Sequence, residues 1–479
     1  MGKRKRENSE TPTISKILKP LENEDWTAEE EELTEILKQL KDLKDDTNSH
    51  DKINLKILSN LLVSYKCTCS NQDLLIFEIL ELLEKYGTDL GQLHPLVFGL
   101  NAEKNYESLR KMGGNLHVRI TPDEVLRGYF DEATLWNTVK YHVRPVSDEN
   151  SAKIYDVKFV LRLFNSLIYP ASALSCKLFV EQNGLALLFS STSSADPEIR
   201  TLAYCCLQKY SNLLQELKVE IFNEKSIILY LIRLFKHSTD VAIRRVSSLI
   251  SHFFARVSKL ILHPEDPVYP QIMAFLCMKP IFDAENVPEF YKLLFSSSPQ
   301  NHKQEREWIL TLISEAVLEP MDYQILQNRA GIKLLMTTFS SLWADRKSRG
   351  LILRTFQNCV RMPSVAHDLF FREGLHTWIT TILNSKRYTK WEKNFLSQIF
   401  LVLIENERKY QRSQKGKDVQ CFSAFSTAKI CSRKIIRVLK DIEKNEQFEG
   451  EQEKAKESIE KIEKILEKKW KMKKKHRKV

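Results

Sequence analysis

Glycine and proline are scarce in this sequence, with 13 and 15 among 479 residues. Strand-and-turn proteins spend both on tight turns, so the scarcity favours long helices over hairpins. Long apolar runs are also missing. Stretches such as Ile227–Ile232 and Ile399–Ile404 fall far short of the roughly 20 residues that span a bilayer. The N-terminus begins with charges and lacks an apolar signal region, which argues against secretion. Arg6 stands where a myristoylation motif after Gly2 wants Ser or Thr. The nine cysteines are scattered through apolar helical stretches, as suits a reducing compartment. Cys67-Thr68-Cys69 and Cys205-Cys206 have no second pair at ligand spacing, and a zinc site needs four converging ligands.

Catalytic signatures are absent as well. The sequence has no G-x-x-x-x-G-K-[ST] loop, G-x-G-x-x-G turn, G-x-S-x-G elbow or H-E-x-x-H helix. The eleven histidines are dispersed. His94, His117 and His142 share a loop-rich region but read as structural or surface residues. Glu305, Glu307 and Glu315 read as the solvated face of the Trp308 helix. Trp308, Trp343, Trp378 and Trp391 read as core or groove residues before base-stacking ones. No enzyme, cofactor, metal or small-molecule substrate is expected.

What the chain has is charge in particular places. The net charge is +11. Lys3, Arg4, Lys5 and Arg6 supply four positive charges. Lys468, Lys469, Lys471, Lys473, Lys474, Lys475, Arg477 and Lys478 supply eight, with no acid among residues 468–479. Setting these twelve aside leaves −1 for the rest, so the body is near neutral and the basic character sits at the two ends. The first cluster is a nuclear-localisation candidate and the second an RNA-phosphate candidate. Within the body, Arg346, Lys347, Arg349 and Arg354, with Arg361 beyond, form a basic cluster that is a possible phosphate ridge or ordinary surface charge. Arg244-Arg245 is a smaller one, expected to open a helix.

The chain also has helical periodicity throughout. Leu33, Ile36, Leu37 and Leu40 mark one helix face. Thr121-Pro122-Asp123-Glu124 has the form of a helix start, with Thr121 as cap, Pro122 in the first turn and Glu124 completing a capping box. Repetition is the strongest architectural signal. Asn183-Gly184-Leu185, Ala330-Gly331-Ile332 and Glu373-Gly374-Leu375 each lead into apolar residues, and the glycine in each is expected to end one helix in a left-handed conformation. Gly331 and Gly374 lie 43 residues apart. Asp196-Pro197-Glu198-Ile199-Arg200 and Asp240-Val241-Ala242-Ile243-Arg244 repeat at 44, from Ile199 to Ile243. Both spacings fit armadillo and HEAT repeats, although Gly184 to Gly331 is 147, so the array is irregular. Near the C-terminus Ala455, Ile459, Ile462 and Leu466 form a short heptad-like seam. It suits a solvated helix, a helix docked on a partner, or one lying on RNA.

Certain segments carry a resemblance. Pro288-Glu289-Phe290-Tyr291-Lys292-Leu293-Leu294-Phe295-Ser296-Ser297-Ser298 resembles the C-terminal region of the nucleolar pre-ribosomal-associated protein 1 family. The similarity continues through Glu305-Arg306-Glu307-Trp308-Ile309-Leu310, Tyr323, Arg329-Ala330-Gly331-Ile332, Phe339-Ser340-Ser341 and Gln357-Asn358. Upstream it takes in Tyr155-Asp156, the Asp196-to-Tyr204 helix and, more faintly, Tyr86-Gly87, so it covers about residues 80–400. The matching residues are packing residues. The family implies a helical-repeat protein of early nucleolar pre-60S particles, acting in large-subunit and 5.8S rRNA maturation. Its implied partners are small nucleolar RNPs, pre-rRNA and other assembly factors. Family members are far longer, so a fragment, an isoform and a truncated version are all open readings of this chain.

The expected architecture is all-α, an irregular armadillo/HEAT-like solenoid. Its parts are a disordered basic tail (1–28), an N-terminal helical region (29–112), a repeat region (113–405), a linker (406–428) and a charged helical tail with a basic end (429–479). The expected role is non-enzymatic scaffolding in the nucleus and nucleolus, away from membranes. A protein–protein adaptor or transport factor on the same fold is the alternative.

Overall fold

The computed structural model describes residues 14–23, 26–42, 54–87, 121–143, 151–170, 172–239, 244–278 and 281–413, with scattered positions between 431 and 463. Lys3–Arg6, residues 468–479, His94, His117 and Asp240–Ile243 lie outside them. Among the described residues there is no strand, only an isolated antiparallel bridge between Thr68 and Tyr155. The fold is all-α, as the shortage of turn residues implied.

The chain forms two compact units. The first comprises residues 1–233, 241–245 and 254–262; the second comprises 234–240, 246–253 and 263–479. Their helices in chain order are α1 (Ile14–Ile17), α2 (Glu30–Lys41), α3 (Leu55–Ser64), α4 (Asn71–Lys85), α5 (Pro122–Tyr129), α6 (Glu132–Tyr141), α7 (Val157–Leu167), α8 (Cys176–Glu181), α9 (Gly184–Ser191), α10 (Pro197–Glu216) and α11 (Lys225–Ser238). Then come α12 (Ser248–Leu260), α13 (Tyr269–Met278), α14 (Phe290–Leu294), α15 (His302–Ala316), α16 (Pro320–Asn328), α17 (Gly331–Ser340), α18 (Arg346–Arg361), α19 (Pro363–Phe371), α20 (Leu375–Asn384) and α21 (Lys390–Ser413).

Local chemistry sets many of these boundaries. Thr121 Oγ accepts from Glu124 N at 3.3 Å and Glu124 returns a bond to Thr121 N at 2.9 Å, completing the capping box that starts α5. Asp196 caps α10 ahead of Pro197. On α2, Leu33, Ile36, Leu37 and Leu40 are buried together, and this face packs on α4.

The first 28 residues are not uniformly a tail. Ile14, Ile17, Leu18 and Leu21 are buried, because α1 and the 3-10 turn after it fold onto α2 and α3. Likewise α21 continues to Ser413, eight residues into the expected linker, since Asn406 and Glu407 are buried and bonded to earlier helices. Arg244 and Arg245 precede α12 rather than opening it, and Arg245 Nε donates to Ser193 O at 2.9 Å.

The repeating glycines serve two purposes. Gly374 is left-handed (φ +67°), as expected. Gly184 and Gly331 instead begin α9 and α17, and the left-handed residue is the one before each, Asn183 (φ 60°) and Ala330 (φ 54°). A Cβ on Gly184 would lie 2.5 Å from the Phe179 ring, and one on Gly331 would lie 2.4 Å from Leu326 O. Close packing, rather than a positive φ, requires glycine there. Aligning the left-handed positions moves the spacing to 44 residues, from Ala330 to Gly374.

In the second unit that number becomes three-dimensional. Helices α15, α18 and α21 begin at His302, Arg346 and Lys390, 44 residues apart each time, and each packs on the next. Helices α16 and α19 stack in the same way. Each layer is thus a long helix and two shorter ones, the pattern of an armadillo repeat. The first unit has a looser version, in which α5, α6 and α7 pack respectively on α8, α9 and α10. Aromatic rings run through its core: Phe130 to Phe164 (5.7 Å), Phe164 to Phe179 (5.1 Å) and Phe179 to Tyr210 (5.1 Å). In the second unit Trp378 is wedged between Phe339 and Phe356.

Near the C-terminus, Ile459 is the described member of the heptad-like seam. It is buried, as are Cys431 and Ile435, and Lys440 pairs with Glu463 at 3.5 Å. This part of the seam is therefore packed inward rather than solvated.

Candidate interaction surface

The body basic cluster lies on α18, whose first turn is capped by Asp345 accepting from Ser348 N at 2.7 Å. The helix sends its cations in different directions. Arg349 turns inward, with its Nε 2.6 Å from Glu392 Oε1 and the carboxylate only 1% exposed. Lys347 pairs with Glu307 of α15. The Arg346 guanidinium lies 5.9 Å over the Trp391 ring. Arg354 and Arg361 are exposed on later turns. Arg349, Lys347 and Arg346 thus tie α18 to its neighbours, and the four residues do not form one continuous ridge. The acids are also not uniformly solvated: Glu305 is 2% exposed and Glu307 is engaged by Lys347.

Beside α18 is a corner that carries Trp343, which the sequence placed among core or groove residues and which is instead exposed. Helix α17 ends at Ser340, leaving last-turn carbonyls without helical partners. Arg387 supplies them, donating to Ser340 O at 3.0 Å and to Ser341 O at 2.7 Å. From the other side the buried Arg306 donates to Leu294 O at 3.3 Å and Trp343 O at 3.1 Å. Two arginines therefore fix the backbone of the short turn between α17 and α18. The turn carries Leu342 at 86% exposure and Trp343 at 62%. The Trp343 ring touches only the edge of the half-exposed Phe295, at 6.2 Å between centroids. Trp308, Trp378 and Trp391 pack against neighbouring rings, whereas Trp343 faces solvent.

A cleft of about 470 Å³ lies elsewhere in the same unit, lined by apolar Phe275, Ile281, Phe282, Val287, Pro288 and Ile325. Arg329 donates to Asn286 at 2.7 Å beside it. The left-handed Glu289 on its wall pairs with Lys292 at 3.3 Å. Asp283 and Tyr291 also line the cleft.

The remaining titratable groups are structural. Burial pushes the thiols of Cys176, Cys206 and Cys359 up to about 12 and that of Cys69 to about 11, far from a reactive thiolate. Burial pushes the His142 imidazole down to about 4, while its Nδ1 donates to Thr138 O at 3.0 Å. Asp322, fully buried, accepts from Ser247 Oγ (2.7 Å) and Leu249 N (3.4 Å) with one oxygen, and from Leu318 N (3.1 Å) and Glu319 N (2.9 Å) with the other. It joins the starts of α12 and α16. Among the described residues no three His, Cys, Asp or Glu side chains are placed to hold a metal, and no helix is long and apolar enough to cross a membrane.

A family model described as Nucleolar pre-ribosomal-associated protein 1 matches residues 185–378, from α9 into α20. The mouse protein of that name is 26% identical over 365 residues, covering 72% of this chain and 16% of the mouse protein. The human one is 26% identical over 342 residues, covering 68% and 15%. The chain thus spans about a sixth of the length of the curated relatives it matches. The segments that suggested the resemblance between Asp196 and Asn358 fall inside the matched region, which also contains the Leu342–Trp343 corner. Residues 185–378 of this chain are thus similar to the nucleolar pre-ribosomal-associated protein 1 family.

Proposed function

We propose that the chain is a non-enzymatic nucleolar scaffold of ribosome assembly, acting in early pre-60S particles during large-subunit and 5.8S rRNA maturation. The observation that carries this reading is the family match over residues 185–378, since the relatives' name places them in the nucleolus and with pre-ribosomes. Stacked helical layers support it, because they present extended surfaces to protein partners without enclosing a reactive pocket. In this reading residues 113–413 are the protein-binding body, 1–13 and 429–479 are appendages, and 414–428 connects the last of these. Lys3–Arg6 direct nuclear entry. The cations from Lys468 to Lys478 attract pre-rRNA or small nucleolar RNPs without sequence preference.

The test has two arms. A tagged chain should concentrate in nucleoli, and changing Lys3, Arg4, Lys5 and Arg6 to Gln should spread it into the cytoplasm. Crosslinking and sequencing of RNA bound to the chain should recover large-subunit precursors or small nucleolar RNAs. Recovery of protein partners alone, with no enrichment of such RNA, would replace this reading with that of a protein–protein adaptor.

A further inference from the structure

We propose that the corner between α17 and α18 is a contact for single-stranded RNA, with Trp343 stacking on an unpaired base. The inference deepens the scaffold reading and rests on it for its biological setting, although its test does not use localisation.

Three observations lead to it. Trp343 is 62% exposed in a protein that packs Trp308, Trp378 and Trp391 against other rings. Exposing an indole in this way forgoes burial of a large apolar surface. The turn is also held in place before any ligand arrives, by Arg306 on Trp343 O and by Arg387 on Ser340 O and Ser341 O, so little ordering entropy is lost on binding. Finally, the surroundings are cationic. Lys303, Arg346 and Arg387 are exposed there, and the buried Arg306 adds a further charge. The nearby acids are already committed, Asp345 to the cap of α18 and Glu307 to Lys347.

An aromatic face amid phosphate-attracting cations is what a single strand recognises, because every base has a π-face and the backbone carries a charge per nucleotide. A protein partner that pocketed the indole would not need an excess of cations around it. A duplex would not serve, as its bases are already stacked.

The experiment uses the full-length chain with the eight cations of residues 468–479 changed to Gln, so that the tail cannot mask the corner. Its affinity for a fluorescein-labelled, mixed-sequence RNA 12-mer is read by anisotropy. Trp343→Ala should weaken binding about tenfold, the order expected for one lost stack. Trp343→Phe should keep it within about threefold, and Leu342→Ser should behave likewise. Replacing Lys303 by Gln should flatten the dependence of log affinity on log salt by about 0.7, for one released counterion. Ultraviolet crosslinking to uridine should give an adduct on the peptide containing Trp343. An unchanged affinity in Trp343→Ala overturns the proposal. So does an equal loss on a 12-base-pair duplex. Because the side chain is largely exposed, circular dichroism and thermal unfolding of Trp343→Ala should match the parent. Failure here, with nucleolar localisation intact, removes the corner and leaves the scaffold reading standing.

Discussion

Ala330 holds a left-handed conformation that costs an L-residue roughly 1–2 kcal/mol. Glycine adopts it freely, at some cost in unfolded-state entropy. Ala330→Gly should therefore stabilise the protein by about 0.5–1 kcal/mol in urea unfolding, whereas Gly331→Ala, one residue on, should destabilise it by about 1–3 kcal/mol through the clash with Leu326. Equal effects of the two changes would refute the assignment of separate roles. Asp322→Ala should be harsher, by about 3 kcal/mol, since it strands donors at the starts of two helices. His142 gives a pH dependence. Burial holds its folded pKa at about 4, below the ordinary imidazole value of 6.5, so the unfolded chain takes up the proton first. The stability tied to the neutral ring is complete above pH 6.5 and is lost as the pH falls toward 4, by about 1–3 kcal/mol. Denaturant titrations at pH 7 and 4.5 should show that loss in the parent and a smaller one in His142→Gln. At this scale the Thr121 capping box was legible because its two partners are only three residues apart. The two glycine roles were not, because the atoms that forbid a Cβ belong to neighbouring helices. Nor was the fate of Arg349, which depends on Glu392, 43 residues away.

The elements are joined in a repeated manner. The last carbonyls of a helix lack intrahelical donors, and here the long helix of the following layer supplies them. Asn358 Nδ2 of α18 donates to Ser314 O of α15 at 2.8 Å, and Asn406 Nδ2 of α21 donates to Val360 O of α18 at 2.7 Å. In the first unit Lys209 Nζ of α10 donates to Asn165 O of α7 at 3.0 Å. Tyr323 of α16 donates to the Asp368 carboxylate at 2.6 Å and ties α16 to α19 in the opposite direction, side chain to side chain. Asn358→Ala and Asn406→Ala should each cost about 1–2 kcal/mol, more for the buried Asn406. A pair of exposed controls, Arg354→Ala and Arg361→Ala, should stay within about 0.5 kcal/mol. If the asparagine variants unfold at the parental midpoint, the ties are incidental. Helix positions were readable wherever a polar face set off an apolar one, as in α2. The inward packing of Ile459 was not readable, because a short seam does not reveal what covers it. The exposure of the Leu342–Trp343 corner was not readable for a related reason. Its anchors, Arg306 and Arg387, are distant in sequence from the turn they hold.

Across the whole chain, charge is partitioned. Twelve cations sit in two short terminal segments, and everything between sums to about neutrality. If about six of the charges in residues 468–479 meet single-strand phosphates, log affinity should fall against log salt with a slope of roughly −4. Deleting those residues should flatten the slope and leave the unfolding midpoint unchanged, and an undiminished slope would remove the segment from RNA binding. The all-α class was legible from composition and helical periodicity, and a period of 43 residues from the Gly331–Gly374 pair came within one residue of the 44 seen between α15, α18 and α21. The finer architecture was less so, because the layers of the first unit are unequal: α5 to α8 and α7 to α10 are separated by different lengths of chain.

The near-constant separation between tied residues has a temporal meaning. Ser314 finds Asn358, and Val360 finds Asn406, after only 44 and 46 further residues. A translating ribosome adds roughly 5–20 residues each second, so a newly made layer waits only a few seconds for the asparagine that closes it. Within such a unit, order can follow the growing end of the polypeptide instead of awaiting its release.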